Sequence, residues 1–197
     1  GVLAYGGTPT TPGLPGVQVA DIGGGSLFAL VGILAALHER HATGRGRHVD
    51  VSMTDGSLAF LHMHLAARLA MGAEAGPLQR GREALNGGFP CYGLYRTKDE
   101  RWLAVGALEP KFFQGLCAAL ERPDLLDGAW DAGERGQHTR VELEKVFATR
   151  TRDEWVAALG ALDLCIEPVR EGDEVLEDPQ LVARGLFVKA DDVTWVR

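Results

Sequence analysis

The sequence predicts a mixed helix-and-sheet protein in two parts, a helical part followed by a smaller α+β part. Two long apolar stretches, 26–41 and 55–71, predict the helical part. Residues 72–89 are rich in glycine and in polar and charged side chains, which indicates a linker. Two aromatic-rich runs then flank the polar turn "TKDE", and they predict a β-hairpin within 91–108.

In the first part, the pattern indicates a loop, a helix, a strand and a second helix. Residues 6–17 are a loop by composition, and we expect neither helix nor strand before Asp21. A helix at 26–41 follows, and "HVDVSM", 48–53, alternates as a short strand would. The stretch 55–71 is apolar on nearly every side, which predicts one buried helix.

After the hairpin, the sequence predicts three helices, a short strand and a terminal turn with a helical segment. The first helix begins at Pro110, a residue that the first turn tolerates. The next two follow capping-box patterns, in which a threonine and a glutamate three residues later satisfy free backbone N–H groups. These pairs are Thr139 with Glu142 and Thr151 with Glu154, and the last two elements are expected at 165–170 and 178–187.

Composition excludes some classes of function and location. The net charge is −7, with no block of like charges, whereas a protein that binds nucleic acid needs a basic surface. The three cysteines, Cys91, Cys117 and Cys165, lie far apart and predict reduced thiols in the cytoplasm. The apolar run Leu27–Leu37 has 11 residues. A membrane span needs about 20, so we expect a buried core helix and no membrane partner.

Asp21 stands immediately before the glycine run Gly23–Gly25 and an apolar helix, and two interpretations are open. It caps the helix through its side-chain oxygens, or it is a catalytic base or nucleophile. In the second case the glycines let a ligand approach the backbone closely, and the helix N-terminus stabilises a developing oxyanion.

Glu109, in "VGALEPKFF", ends a strand-like run and precedes a helix. It is either a glutamate that complements the helix dipole or a second functional carboxylate. Two carboxylates that meet in one cleft share a proton and have pKa values pushed apart.

No resident cofactor or metal is predicted. His62 and His64 are two residues apart and point in different directions on a helix, and no Cys/His cluster has zinc spacing. The glycine run is not a dinucleotide-binding fingerprint, and neither a P-loop nor G-x-S-x-G is present.

The segments "VADIGGGSLFALVGILAALHERHATGRGRHVDVSMTDG" and "NGGFPCYGLYRTKDERWLAVGALEPKFF" resemble the family of α-methylacyl-CoA racemases and type III CoA-transferases. The resemblance implies an α/β fold with a Rossmann-like large domain, a small α+β domain and an interlocked homodimer. It assigns 1–71 to the large domain, 72–89 to a linker, 90–177 to the small domain and 178–197 to a return segment. It also implies that the chain is the C-terminal part of a longer protein.

For the site, the resemblance implies that Asp21 moves the α-proton of an acyl-CoA thioester and that Glu109 pairs with it. A histidine of a "GHD-x-x-Y" segment, expected before the start of this chain, acts on the opposite face. Coenzyme A enters as part of the substrate. The expected substrate-binding residues in this chain are Gly23, Gly24, Gly25, Asn86, Gly87 and Gly88. Two alternatives remain: a CoA-transferase with Asp21 as nucleophile, and a non-catalytic acyl-CoA-binding chain.

Overall fold

The computed structural model describes residues 2–76, 79–190 and 193–196, and the chain divides into two compact units, Gly1–Gly88 and Phe89–Arg197. Unit 1 consists of helices joined by loops. They are α1 (Val2–Tyr5), a π-helix (Val19–Leu27), α2 (Phe28–Thr43), α3 (Met53–Ala59), α4 (His62–Met71) and a 3₁₀ turn (Gly72–Ala75).

Two expectations for the segments before and after α2 were wrong. A short helix, α1, precedes Asp21. Residues 48–52 form a loop instead of a strand, and the loop ends in a cap in which the Ser52 hydroxyl accepts a hydrogen bond from the Asp55 amide. A strand needs a neighbour that takes up its backbone hydrogen bonds, and none pairs with this stretch in the described residues.

The stretch 55–71 forms two helices rather than one. The Leu61 amide bonds to the Leu58 carbonyl at 3.0 Å, a tight turn that separates α3 from α4. The predicted burial was also wrong. Leu58 and Met63 are exposed, and α2 has no buried residue, because no described segment covers these apolar faces.

Among the described residues, one helical stretch is long and apolar enough to cross a membrane by length and composition. It is Val19–Thr43, with 25 residues, and an 18-residue window within it has a mean hydropathy of 1.8. The core helix of a soluble protein can have the same length and composition. The absence of a membrane partner therefore stays a prediction.

Unit 2 contains a three-stranded antiparallel sheet, with helices packed against it. Strands β1 (Tyr92–Arg96) and β2 (Trp102–Gly106) form the predicted hairpin, and β3 (Ile166–Pro168) pairs with β2. The other elements are α5 (Pro110–Ala119), a 3₁₀ turn (Pro123–Gly128), α6 (Glu134–Phe147), α7 (Arg152–Leu159), α8 (Asp173–Leu176), α9 (Pro179–Ala183), and a hairpin of β4 (Phe187–Ala190) and β5 (Val193–Val196). The chain therefore mixes helices and sheets, in agreement with the expected α/β class.

The core of unit 2 lies between this sheet and helices α5, α6 and α7. The rings of Tyr95, Phe147 and Trp155 pack in series, with centroids 5.1 and 5.4 Å apart. The Trp155 indole N–H donates to the Phe147 carbonyl at 2.9 Å, so this polar group is satisfied inside the core. Burial of apolar side chains on one face of the sheet therefore holds the hairpin against these helices.

One of the two predicted capping boxes forms. Thr151 and Glu154 exchange both capping bonds at the start of α7, as predicted. The Thr139 box was wrong, because α6 begins at Glu134 and places Thr139 inside the helix. Thr139 is buried there, and its hydroxyl donates to the Leu125 carbonyl at 3.4 Å.

A charged cluster joins α7 to α8. Arg152 is only 5% exposed, and its guanidinium donates to both carboxylate oxygens of Glu174, at 2.8 and 2.6 Å. Arg152 and the Glu171 backbone amide hold the pKa of Glu174 well below its usual range. Since this pKa is lower in the folded chain than in the unfolded one, the pair stabilises the fold at neutral pH. The contribution is lost as the pH falls below about 4.

We predict that Glu174→Gln lowers the free energy of unfolding at pH 7, because the buried Arg152 then keeps only the exposed Asp153 as a carboxylate partner. We expect the stability of the unaltered chain to fall as the pH drops below about 4, and we expect this fall to be smaller in the variant. Urea unfolding across this pH range measures both effects. Glu167→Gln, at an exposed glutamate of β3, is the control. Equal acid sensitivity in all three proteins would contradict the assignment.

Candidate active site

A backbone-to-backbone contact between α3 and the π-helix builds the candidate site. A side chain at Gly56 would overlap the carbonyl oxygen of Gly24. A side chain at Gly24 would come within 2.8 Å of the Met53 carbonyl and of the Ser57 amide and hydroxyl. Two glycines are therefore required where the elements cross, because any Cβ would separate them.

The other two glycines of the run also face α3. A Cβ on Gly23 would lie 3.1 Å from the Phe60 ring, and one on Gly25 would lie 2.9 Å from Cγ of Met53. In this chain, α3 and the Phe60 ring that follows it therefore occupy the space beside the glycine run. Substrate binding by Gly23, Gly24 and Gly25 stays a prediction.

Asp21 lies in the first turn of the π-helix, and its side chain is exposed. The N-cap position belongs to Gln18, and no side-chain capping bond is made, so the capping interpretation of Asp21 was wrong. The Asp21 carbonyl accepts a hydrogen bond from the Ser26 hydroxyl at 2.9 Å, which ties the turn to the residue five positions later. The carboxylate remains available for a ligand near the positive end of the helix dipole.

Asp21 borders a cavity of about 660 Å³ within unit 1. The lining is mostly apolar, and none of its residues is lysine, arginine or histidine in the described part of the chain. The lining residues are Val2, Leu3, Pro15, Val17, Gln18, Val19, Ala20, Asp21, Met53, Thr54, Ser57, Leu58 and Leu61. Asp21 is the one charged group among them, so the cavity suits an apolar ligand that presents its reactive atom to a carboxylate.

Three polar residues that were not predicted from the sequence, Gln18, Thr54 and Ser57, share this cavity with Asp21. Gln18 comes from the start of the π-helix, whereas Thr54 and Ser57 come from α3. The signal was present, because residues three apart lie on one face of a helix, and "MTDGS" therefore places both hydroxyls on one side.

Glu109 occupies the N-cap position of α5, just after β2, and its side chain is exposed and makes no capping bond. The preceding loop is fixed by the Trp130 indole N–H, which donates to the Leu108 carbonyl at 2.8 Å. Asp21 belongs to unit 1 and Glu109 to unit 2, and their pairing stays a prediction.

The segment Asn86–Gly88 orders the end of unit 1. The Asn86 side chain accepts from the Glu83 amide at 2.7 Å and donates to the Tyr5 carbonyl at 3.3 Å. Gly87 has a φ of +99°, and a side chain at Gly88 would overlap the backbone of residue 82. Local bonding thus accounts for this sequence, and its role in substrate binding also stays a prediction.

Other reactive groups give no competing centre in the described residues. Burial raises the pKa of the Cys91 and Cys117 thiols to about 11, so neither is a thiolate nucleophile near neutral pH. His64 bonds through Nδ1 to Glu83 at 3.0 Å. The parts of the chain that the structure describes contain no group of three His, Cys, Asp or Glu side chains that could hold a metal ion.

The whole chain, residues 1–197, matches the model of CoA-transferase family III. It is 32% identical to human alpha-methylacyl-CoA racemase over 98% of this chain and 50% of that protein. It is 28% identical to human succinyl-CoA:glutarate CoA-transferase over 93% of this chain and 42% of that protein. The fold is similar to that of a CAIB/BAIF family protein from Brucella suis, with a TM-score of 0.76 and 24% identity, over 100% of this chain and 52% of that one. The chain thus spans about half the length of the curated relatives it matches.

The glycine contact predicts large effects of small substitutions. Gly24→Ala and Gly56→Ala should each destabilise unit 1 by about 1–3 kcal/mol, because the added methyl group overpacks the crossing. For Gly56 this outweighs the roughly 1 kcal/mol by which alanine favours a helix over glycine. Gly16→Ala, at a position with no atom within 4 Å, is the control. Hydrogen exchange in α3 measures the effect, and equal protection in all three variants would contradict the packing argument.

Proposed function

Because this chain belongs to CoA-transferase family III, we propose that it takes part in the epimerisation of 2-methylacyl-CoA thioesters at C2. In this proposal Asp21 removes or returns the α-proton and an enolate is the intermediate. Coenzyme A is the carrier portion of the substrate, and no resident cofactor or metal takes part.

The observation that supports this reaction is the position of Asp21 at a mostly apolar cavity whose described lining residues include no cationic side chain. Succinyl and glutarate groups each carry a free carboxylate besides the thioester. A buried carboxylate is best stabilised by a cationic partner, usually arginine, and no described lining residue carries a positive charge, whereas Asp21 carries a negative one. A branched aliphatic acyl group needs no such partner, so the lining favours an apolar acyl group over a dicarboxylate.

The chemistry follows from the weak acidity of the α-proton. When Asp21 takes this proton, the electron pair of the C–H bond moves towards the thioester oxygen, where negative charge develops. The positive end of the π-helix dipole lies in the same turn and stabilises that charge. Glu109 is proposed to pair with Asp21 and to raise its basicity, as two neighbouring carboxylates do.

Epimerisation also needs a group on the opposite face of the substrate. The resemblance assigns this role to a histidine in "GHD-x-x-Y", a motif that the sequence does not contain. Activity is therefore proposed for the protein at its natural full length, with Asp21 supplying one of the two proton transfers.

The second candidate is transfer of coenzyme A, because CoA-transferases match the chain as well as racemases do in extent. There the Asp21 carboxylate attacks the thioester carbonyl carbon and expels the CoA thiolate, which leaves a mixed anhydride between Asp21 and the acyl group. The thiolate then attacks the side-chain carbonyl carbon of Asp21, releases the acyl group as a free carboxylate and forms an aspartyl–CoA thioester. Asp21 serves in both reactions. It removes the α-proton in epimerisation and attacks the carbonyl carbon in CoA transfer.

We predict that the full-length protein incorporates deuterium at C2 of a 2-methylacyl-CoA in D₂O, as measured by NMR. Asp21→Asn should slow this exchange by about 100-fold or more, because the base is lost while the size of the side chain is kept. Asp50→Asn, at an exposed loop aspartate, is the control and should exchange at the normal rate. Absence of exchange, with a hydroxylamine-sensitive adduct on Asp21, would instead establish the transferase.

We also propose that the exposed apolar face of α2 is covered in a homodimer. Leu30, Leu34 and Leu37 lie on one side of this helix and are each at least half exposed. Continuous apolar patches of several hundred Å² drive association.

We therefore predict that this chain sediments as an associated species. Changing Leu30, Leu34 and Leu37 together to glutamine should shift it to the monomer. The control changes three exposed leucines of unit 2, Leu94, Leu162 and Leu176, and should leave association intact. A monomeric unaltered chain would contradict the proposal.

A further inference from the structure

The hydroxyl of Ser57 is buried and makes no hydrogen bond. It is the one buried side-chain polar atom without a partner among those that the structure describes. A hydroxyl that is removed from water without a partner lowers stability, so buried polar groups are almost always paired. Such an exception needs an explanation.

The position of Ser57 connects it to the candidate site. The residue lies on α3, three positions after Thr54, and lines the same cavity as Asp21. Its oxygen lies against the point where Gly24 lacks a side chain, at 2.8 Å from an ideal Cβ. The contact that fixes the Asp21 turn therefore also places Ser57 beside that turn.

We propose that Ser57 is a substrate-binding residue whose hydroxyl donates a hydrogen bond to the thioester carbonyl oxygen of the acyl-CoA. The inference rests on the proposed acyl-CoA substrate, but it holds for racemase and transferase alike. A serine hydroxyl moves between staggered positions by rotation about one bond, so the side chain that lines the cavity reaches a ligand without backbone movement.

This bond strengthens during the reaction. Removal of the α-proton by Asp21 moves the C–H electron pair into a C=C bond, and the carbonyl π pair moves onto oxygen. Ser57 keeps its own proton and donates to an oxygen that has become an enolate. Hydrogen bonds to charged oxygens are about twice as strong as those to neutral ones, so the hydroxyl favours the intermediate over the substrate.

The test compares two probes, a 2-methylacyl-CoA thioester and the matching thioether, which lacks the carbonyl oxygen. Calorimetry measures the affinity of the full-length protein and of Ser57→Ala for each probe. Ser57→Ala should bind the thioester about three- to tenfold more weakly and the thioether equally well. Where exchange occurs, its rate should fall by on the order of 100-fold, the effect of losing one oxyanion donor.

Stability separates this role from a structural one. Ser57→Ala should unfold at the same or a higher urea concentration, because it removes an unpaired buried hydroxyl. The matched control, Ser26→Ala, removes a hydroxyl that is paired with the Asp21 carbonyl and should be less stable. Destabilisation by Ser57→Ala, or equal loss of affinity for both probes, would overturn the assignment, as would unchanged affinity for both.

The outcomes also separate this inference from the proposed function. Selective loss of thioester affinity without any deuterium exchange would support Ser57 and overturn epimerisation alone. Failure of the unaltered protein to bind the thioester would overturn both.

Discussion

The approach of Gly24 to Gly56 is the constraint on which the candidate site depends. The two backbones touch where neither residue has a side chain, so α3 lies against the π-helix more closely than ordinary helices pack. This contact sets the turn that carries Asp21 and the wall that carries Ser57. It also explains the central glycine of the turn, because packing requires Gly24 whether or not a ligand contacts it.

The two units differ in how they hold together. Unit 2 buries a continuous apolar core between its sheet and three helices, and this accounts for a fold of its own. In the described part of unit 1, only Gly24, Gly56 and Leu61 are buried. Most of the apolar surface of α2 stays in contact with solvent, so little of the hydrophobic effect is used within this unit. The geometry around Asp21 therefore rests on a glycine contact supported by few buried side chains, and covering α2 is expected to rigidify it.

Sequence patterns predicted an element correctly where the interactions that determine it join residues close together in the sequence. The hairpin around "TKDE" and the Thr151 capping box involve residues within one turn or two adjacent strands, and both were predicted. Burial of α2 and a strand at 48–53 depend on what lies beside them, which the periodicity of one segment does not contain. Thr139 shows the same limit, because a capping pattern inside a longer helix has no free N–H groups to satisfy. At the site, the sequence motif was sufficient to select Asp21 as a candidate. The buried, unpaired hydroxyl of Ser57 results from the crossing at Gly24, a contact between two segments that no local pattern shows.

The two candidate reactions place different demands on the same cavity. A base must reach the α-hydrogen, whereas a nucleophile must reach the adjacent carbonyl carbon, and both raise the negative charge on the thioester oxygen. A donor at that oxygen therefore assists either reaction and does not decide between them. In the proposed binding mode the acyl group provides the distinction, because its other end contacts the lining. Among the described lining residues most are apolar and Asp21 is the one charge, so we expect this surface to disfavour a second carboxylate and to accept an alkyl branch. In the proposed reaction, the same surface accounts for selectivity towards an apolar acyl group and carries the carboxylate assigned to proton transfer at C2.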